Sequence, residues 1–167
     1  MKVLGIDPSL KSTGYGLIEF SDTNQEYSVL TYGTIKPHKN NLFHYRLNEI
    51  KIKIEELITL YNPEEVAIES TFYAQNVKTA LILGQVRGAA LVAISSQERP
   101  LFEYSPLEIK KAVTGYGQAD KTQVSLMIRT LLNIEDNQME TDASDALGTA
   151  FCHLNSRLFQ KNIEESI

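Results

Sequence analysis

A chain of 167 residues with 43% hydrophobic and 22% charged side chains is the size of one ordinary domain, able to bury roughly 70% of the surface its unfolded form exposes, and neither disorder nor a fibrous repeat fits. Sixteen Lys and Arg against twenty-one Asp and Glu leave a formal charge of -5, so bulk positive charge cannot be the basis of recognition, and any basic residues that serve nucleic acid have to be clustered. The single cysteine, Cys152, excludes an internal disulfide and a CxxC zinc site and suits a reducing, cytoplasmic setting. Asp7 interrupts the apolar N-terminal stretch too early for a signal peptide, and the longest apolar run, residues 89–94, is too short for a bilayer. A soluble domain without a membrane partner is expected.

In chain order, residues 3–6, 13–20 and 27–35 are rich in apolar, β-branched and aromatic side chains and read as a meander of three antiparallel strands. From 42 to 61 the pattern changes. Phe43, Leu47, Ile50, Ile54, Leu57 and Tyr61 recur at spacings of four and three, which predicts an amphipathic helix stopped by Asn62-Pro63. A short buried strand, 66–68, ends in Glu69. Residues 76–97 have helical composition, and 101–104 form a strand behind Pro100. Ser105, Pro106 and Glu108 make a capping box with proline at the first helical position. Asp120 marks another helix start, for 121–132, and a last helix covers 141–159 after the polar loop 135–140. The whole chain, 1–167, reads as a single α/β domain, with 156–167 as a short tail. Its mixed five-stranded sheet has three antiparallel strands and then parallel ones, flanked by helices.

Asp7 and Glu69 each stand at the exit of an apolar strand, where a half-buried carboxylate is costly unless something binds it. Either alone is explained as an acid opening a turn; as sheet neighbours they converge at one end. Asp142 and Asp145, three apart on a predicted helix, lie about 60° apart on one face and repel each other. Placement near the positive end of the helix dipole offsets part of that cost, with Thr141 as a possible cap. Four carboxylates from three elements can build an all-oxygen site for hard divalent cations.

GIDPSLKSTGYGLI at 5–18, IEST-F at 68–72, LGQVRGAA at 83–90, GYGQADKTQV at 115–124 and TDASDALGTA at 141–150 resemble the RuvC family of Holliday-junction resolvases. The resemblance holds in register over about residues 1–155. It implies an RNase H-like fold, a homodimer working beside the RuvA–RuvB motor, and cleavage of two strands of a four-way DNA junction with two Mg²⁺ ions per subunit, with Mn²⁺ as a possible substitute. By position, the family's catalytic and metal-binding acids fall on Asp7, Glu69, Asp142 and Asp145, the residues already singled out. Two Mg²⁺ would bring the formal charge from -5 to -1. Phe72 falls where the family has an aromatic that stacks on bases, and Lys110 and Lys121 match its DNA-contacting lysines. Ser9 departs from the usual glycine after Asp-Pro, and the acidic total departs from a commonly basic family, which implies DNA binding more dependent on salt and Mg²⁺.

Charge is unevenly spread: residues 71–133 are net +3, residues 1–70 net -3 and 134–167 net -5. The middle third is therefore the expected DNA-facing part. Residues 115–122 lack the glycine before the lysine that a phosphate-binding loop needs. Gly14 and Gly16 sit inside a strand and suggest a close backbone approach. His38 and His44 read as solvated, His153 lies about 16 Å along an ideal helix from Asp142, too far to share its metal, and Cys152 reads as a small apolar core residue. Gly84 and Gly88, one turn apart beside Ala80, suggest either a dimer interface or packing on the chain's own sheet. A nucleotide-binding ATPase of the same topology would need two such domains, and a purely binding module would have no need of all four acids.

Overall fold

Two-residue alternation along the central strands decides what each side of the sheet receives. The computed structural model describes residues 1–70, 76–136 and 138–164. Strands β1 (Lys2–Asp7), β2 (Thr13–Ser21) and β3 (Glu26–Ile35) form the expected antiparallel meander. Helix α1 (Phe43–Tyr61), β4 (Glu65–Glu69), α2 (Val77–Ser96) and β5 (Leu101–Tyr104) follow, and α3 (Pro106–Thr114), α4 (Lys121–Leu131) and α5 (Thr141–Glu164) complete the chain. The sheet order is β3-β2-β1-β4-β5, with β4 parallel to both β1 and β5. Leu4, Ile6, Leu17, Val66 and Ile68 pack with Ile50, Ile54 and Ile58 of α1 and Val86, Ala90 and Ala93 of α2. On the other face Val3, Ile18 and Ala67 pack with Leu147, Phe151 and Leu154 of α5 and with Ile109 and Ile128 from α3 and α4.

The helix boundaries follow local chemistry. Asn62 takes a left-handed conformation at φ 49° and its N–H bonds Ile58 O, closing α1 just before Pro63. Reciprocal capping boxes start α3 at Ser105/Glu108 and α4 at Asp120/Gln123, and Gly115 at φ 74° ends α3. Residues 115–122 thus end one helix and begin the next. The last helix runs five residues beyond the expected Phe159, and Thr141 is its first helical residue rather than its cap. Ser9 is absent from the positive-φ residues; its backbone N–H and C=O both meet Thr13 Oγ1, at 3.2 and 2.6 Å, so the turn does not require glycine there.

Helix α5 lies directly on the sheet. A Cβ on Gly5 would run into the Ala146 carbonyl oxygen, and one on Gly14 into the Asp142 carbonyl oxygen. The close approach expected at Gly14 and Gly16 is therefore real, and the chain that approaches is α5.

At the opposite end of β4, Glu65 anchors the far half of the same helix. His153, wholly buried, places Nε2 2.5 Å from Glu65 Oε2 and Nδ1 2.8 Å from the Tyr104 hydroxyl, while Arg157 forks onto both Glu65 oxygens and covers the Phe102 ring. A neutral imidazole carrying its proton on Nε2 satisfies every partner. Burial holds His153 below its ordinary pKa despite the carboxylate. Burial by itself would push Glu65 up, but the bonds from Arg157 and His153 more than offset that and hold it below the usual range. Cys152, also buried, has its thiol pushed up to about 12 by desolvation, as befits an inert core residue.

A group with a depressed folded-state pKa contributes stability above its unfolded pKa and loses it as pH falls through the folded one. Glu65→Gln should cost about 1–3 kcal/mol in urea unfolding at pH 7, and the gap to wild type should close in acid, below the ordinary carboxylate range. A variant within a few tenths of a kcal/mol of wild type at pH 7 would show the clamp to be idle.

Candidate active site

Parallel pairing sets Ile6 opposite Ile68, so Asp7 and Glu69 leave adjacent strands side by side, and alternation turns both toward the α5 face. Antiparallel pairing sets Asp7 opposite Gly14, and the carbonyl of Asp142 lies over that glycine. The first turn of α5 consequently places Asp142 and Asp145 above the strand ends. All four acids expected from the sequence share one electrostatic environment. Asp7 is raised to about 7 by burial first, then by the charges of Glu69, Asp145 and Asp142. Glu69 is raised by burial and Asp145, with Lys121 and Lys110 working the other way.

Asp145, with a side chain 15% exposed, receives Lys121 Nζ at 2.9 Å. That hydrogen bond is the main reason the Lys121 ammonium is held above its ordinary pKa. Lys121, Lys110, Glu69 and Asp145 line one cleft of about 260 Å³ together with Pro106, Ile109 and Val124. Both predicted lysines therefore stand beside the acids. Phe72 lies in residues 71–75, outside the described residues. Among the described residues no three His, Cys, Asp or Glu side chains converge closely enough to hold a metal ion as they stand; the four acids share a field, with one of them turned to a lysine. As a donor set, hard oxygens in excess of neighbouring positive charge fit a hard divalent cation and not a soft one.

Several supporting residues carried no signal of their own in the sequence. Arg87 Nη1 donates to the backbone carbonyl of Glu69 at 3.1 Å while its Nη2 pairs with Glu103 at 2.6 Å, which fixes the strand end that presents Glu69. Its place inside LGQVRGAA was the only pointer. Glu140, just before α5, accepts from Thr34 at 2.8 Å and from the Lys36 ammonium, tying the head of the helix to β3. His38 and His44 are exposed as expected.

The raised Asp7 pKa has a signed consequence. The folded state holds a proton that the unfolded chain releases near 3.8, so ionised Asp7 costs stability, fully above about 7 and not at all below 3.8. In EDTA at pH 8, Asp7→Asn should melt higher than wild type by roughly 2–4 °C per kcal/mol recovered, an advantage that vanishes near pH 4. A variant less stable than wild type at pH 8 would contradict the crowding of these acids.

The family model for crossover junction endodeoxyribonuclease RuvC matches residues 3–153. The crossover junction endodeoxyribonuclease RuvC of Alkaliphilus metalliredigens is 41% identical over 160 residues, covering 96% of each chain, and that of Chlorobaculum parvum is 45% identical over 154 residues, covering 92% of this chain and 81% of its own. Among solved structures, T. thermophilus RuvC in complex with Holliday junction substrate superposes with a TM-score of 0.86 at 29% identity, covering 95% of this chain and 96% of that one. The yeast mitochondrial resolvase Ydc2, at 12% identity and a TM-score of 0.67, shares the RNase H-like fold.

Proposed function

The chain belongs to the RuvC family of crossover junction endodeoxyribonucleases, and from that premise we propose that Asp7, Glu69, Asp142 and Asp145 are its catalytic carboxylates and hold two Mg²⁺ ions, replaceable by Mn²⁺. The protein is a Holliday-junction resolvase, a nuclease that hydrolyses phosphodiester bonds in four-way DNA. The observation that carries the assignment of residues is geometric: β1 and β4 end side by side in Asp7 and Glu69, and the Asp142 carbonyl lies over Gly14, the residue opposite Asp7, so the four acids meet at one end of the sheet. Such crowding is unfavourable unless positive charge arrives to offset it.

Divalent cations bound there would supply Lewis acidity for in-line attack by water and for the departing 3′ oxygen, leaving a 5′-phosphate and a 3′-hydroxyl. The chain's own residues do the positioning. Asp7 and Glu69 are held on rigid strands, and Arg87 fixes the Glu69 backbone. Asp142 and Asp145 ride on a helix that the glycine-bearing strands fix in height. Lys121, more exposed than its partner Asp145, and Lys110 stand at the cleft where they can meet backbone phosphates. Phe72 is assigned to stacking on an unpaired base at the junction centre, a contact worth about 1–3 kcal/mol.

Two symmetric nicks need two sites, and α2 offers the surface that would pair them. It is long and apolar enough by length and composition to cross a membrane, yet its Val86, Ala90, Ala93 and Ile94 pack in the core. Its other side leaves Val77, Leu81 and Val92 exposed. Among the described residues a Cβ at Gly84 or Gly88 would meet nothing within 4 Å, so packing on the described sheet is not the reason for these glycines. A helix apolar on all sides calls for a cover, and a second copy laid on this face makes the homodimer. The reading also includes a single nuclease domain, a cytoplasmic setting and work beside the RuvA–RuvB branch-migration complex.

Labelled four-way, three-way and duplex DNA incubated with Mg²⁺ or EDTA tests the assignment. Wild type should cut the four-way junction only with the cation, and Asp7→Asn, Glu69→Gln, Asp142→Asn and Asp145→Asn should each lose roughly 100-fold or more in rate while still binding it. A variant that cuts at the wild-type rate would remove its residue from the site. Sedimentation should find a dimer for wild type and monomers for Gly84→Leu; a monomeric wild type on junction DNA would refute the α2 interface.

A further inference from the structure

The excess of acid in residues 1–70 conceals a basic face. Lys11 follows the β1 end that carries Asp7, Lys36 and Lys39 follow β3, and Arg46 comes from the first turn of α1; with His38 they line an open cleft of about 890 Å³ to which no carboxylate contributes among the described residues. The nearest acids are already engaged. Glu49 accepts from the His38 N–H at 2.8 Å and from the Asn41 side chain, and Glu140 is taken by Lys36 and Thr34. Lys11 and Lys39 are exposed and make no ion pair among the described residues. Arg46 spends Nη2 on the Leu10 carbonyl at 3.0 Å and leaves Nε buried without a partner.

The pairing places this face. Asp7 is opposite Gly14 and Gly14 opposite Thr34, so β3 ends at the same edge of the sheet as the acids, two strand spacings or about 10 Å away. Lys110 and Lys121 stand on the other side, beyond β4. The acids are flanked by cations on both sides.

We propose that the cleft of Lys11, Lys36, Lys39 and Arg46 is a second phosphate-binding face, taking the sugar–phosphate backbone of the junction arm that leads away from the cleaved position. At 3.4 Å per nucleotide along one strand, a cleft beginning about 10 Å from Asp7 meets phosphates roughly three or more nucleotides from the scissile one. The inference rests on the junction-cleaving reading and adds to it a surface that steers an arm. Each phosphate contact releases counterions and steepens the salt dependence of binding by about 0.9.

The test is binding to a four-way junction in EDTA across 50–200 mM salt, as conditions chosen on the order of those over which such slopes are read. Lys11→Ala with Lys39→Ala should lower the slope by about two, and Lys11→Arg with Lys39→Arg should restore it. Lys2→Ala, at the far end of β1, removes a charge without touching the cleft and should leave the slope as it is. A double alanine variant with the wild-type slope, or a Lys2→Ala variant with an equal fall per charge, overturns the proposal. A wild type that neither binds nor cuts four-way DNA overturns the functional reading instead; a wild type that cuts, beside a double variant of unchanged slope, overturns only the second face.

Discussion

Helix α5 can reach its position only because the strands beneath it carry no side chains where it crosses. Gly5 on β1 and Gly14 on β2 lie under the carbonyls of Ala146 and Asp142, and even a methyl group there would push the helix outward. Overpacking of this kind costs about 1–3 kcal/mol in a rigid interior, but its chemical effect is larger than its energetic one. The height of α5 above β1 is the distance between the helix acids and the strand acids. Alternation does the rest: Gly5 and Asp7 share a face, as do Glu65 and Glu69, so one helix is held at one end by packing and at the other by the Glu65–His153–Arg157 cluster.

Four carboxylates gathered in this way repel one another, and the protein does not relieve the strain by spreading them. It buries Asp7, lets its proton affinity rise to about 7, and turns Asp145 to Lys121. On the proposed reading, cation binding displaces the proton that Asp7 holds, and Lys121 exchanges its carboxylate for an incoming phosphate.

Much of this was legible in the sequence, for physical reasons. Strands with strict alternation, a helix stopped by Asn62-Pro63 and capping boxes at Ser105 and Asp120 depend on local chemistry, and they stand where local chemistry puts them. Asp7 and Glu69 could be paired because acids ending apolar strands are costly anywhere else. The clamp at Glu65 was not legible, since its partners lie 88 and 92 residues away and an acid opening a strand looks like any surface acid. Charge summed over thirds of the chain could not show that Lys11, Lys36, Lys39 and Arg46, from a net-negative third, line one cleft. Gly84 and Gly88 could not be assigned to inside or outside until the faces of α2 were known.

The central claim is that the seat of α5 on bare backbone sets the spacing of the carboxylates. Gly14→Ala adds one methyl group under the Asp142 carbonyl and substitutes no acid and no lysine, so the most direct measurement is the Mg²⁺-dependent rate at which that variant cuts a four-way junction, with circular dichroism and junction binding to show that it is folded. The account predicts a folded protein that binds the junction and cuts it at least about tenfold more slowly, the equivalent of about 1.4 kcal/mol in the barrier. A folded Gly14→Ala protein cutting at the wild-type rate would contradict it.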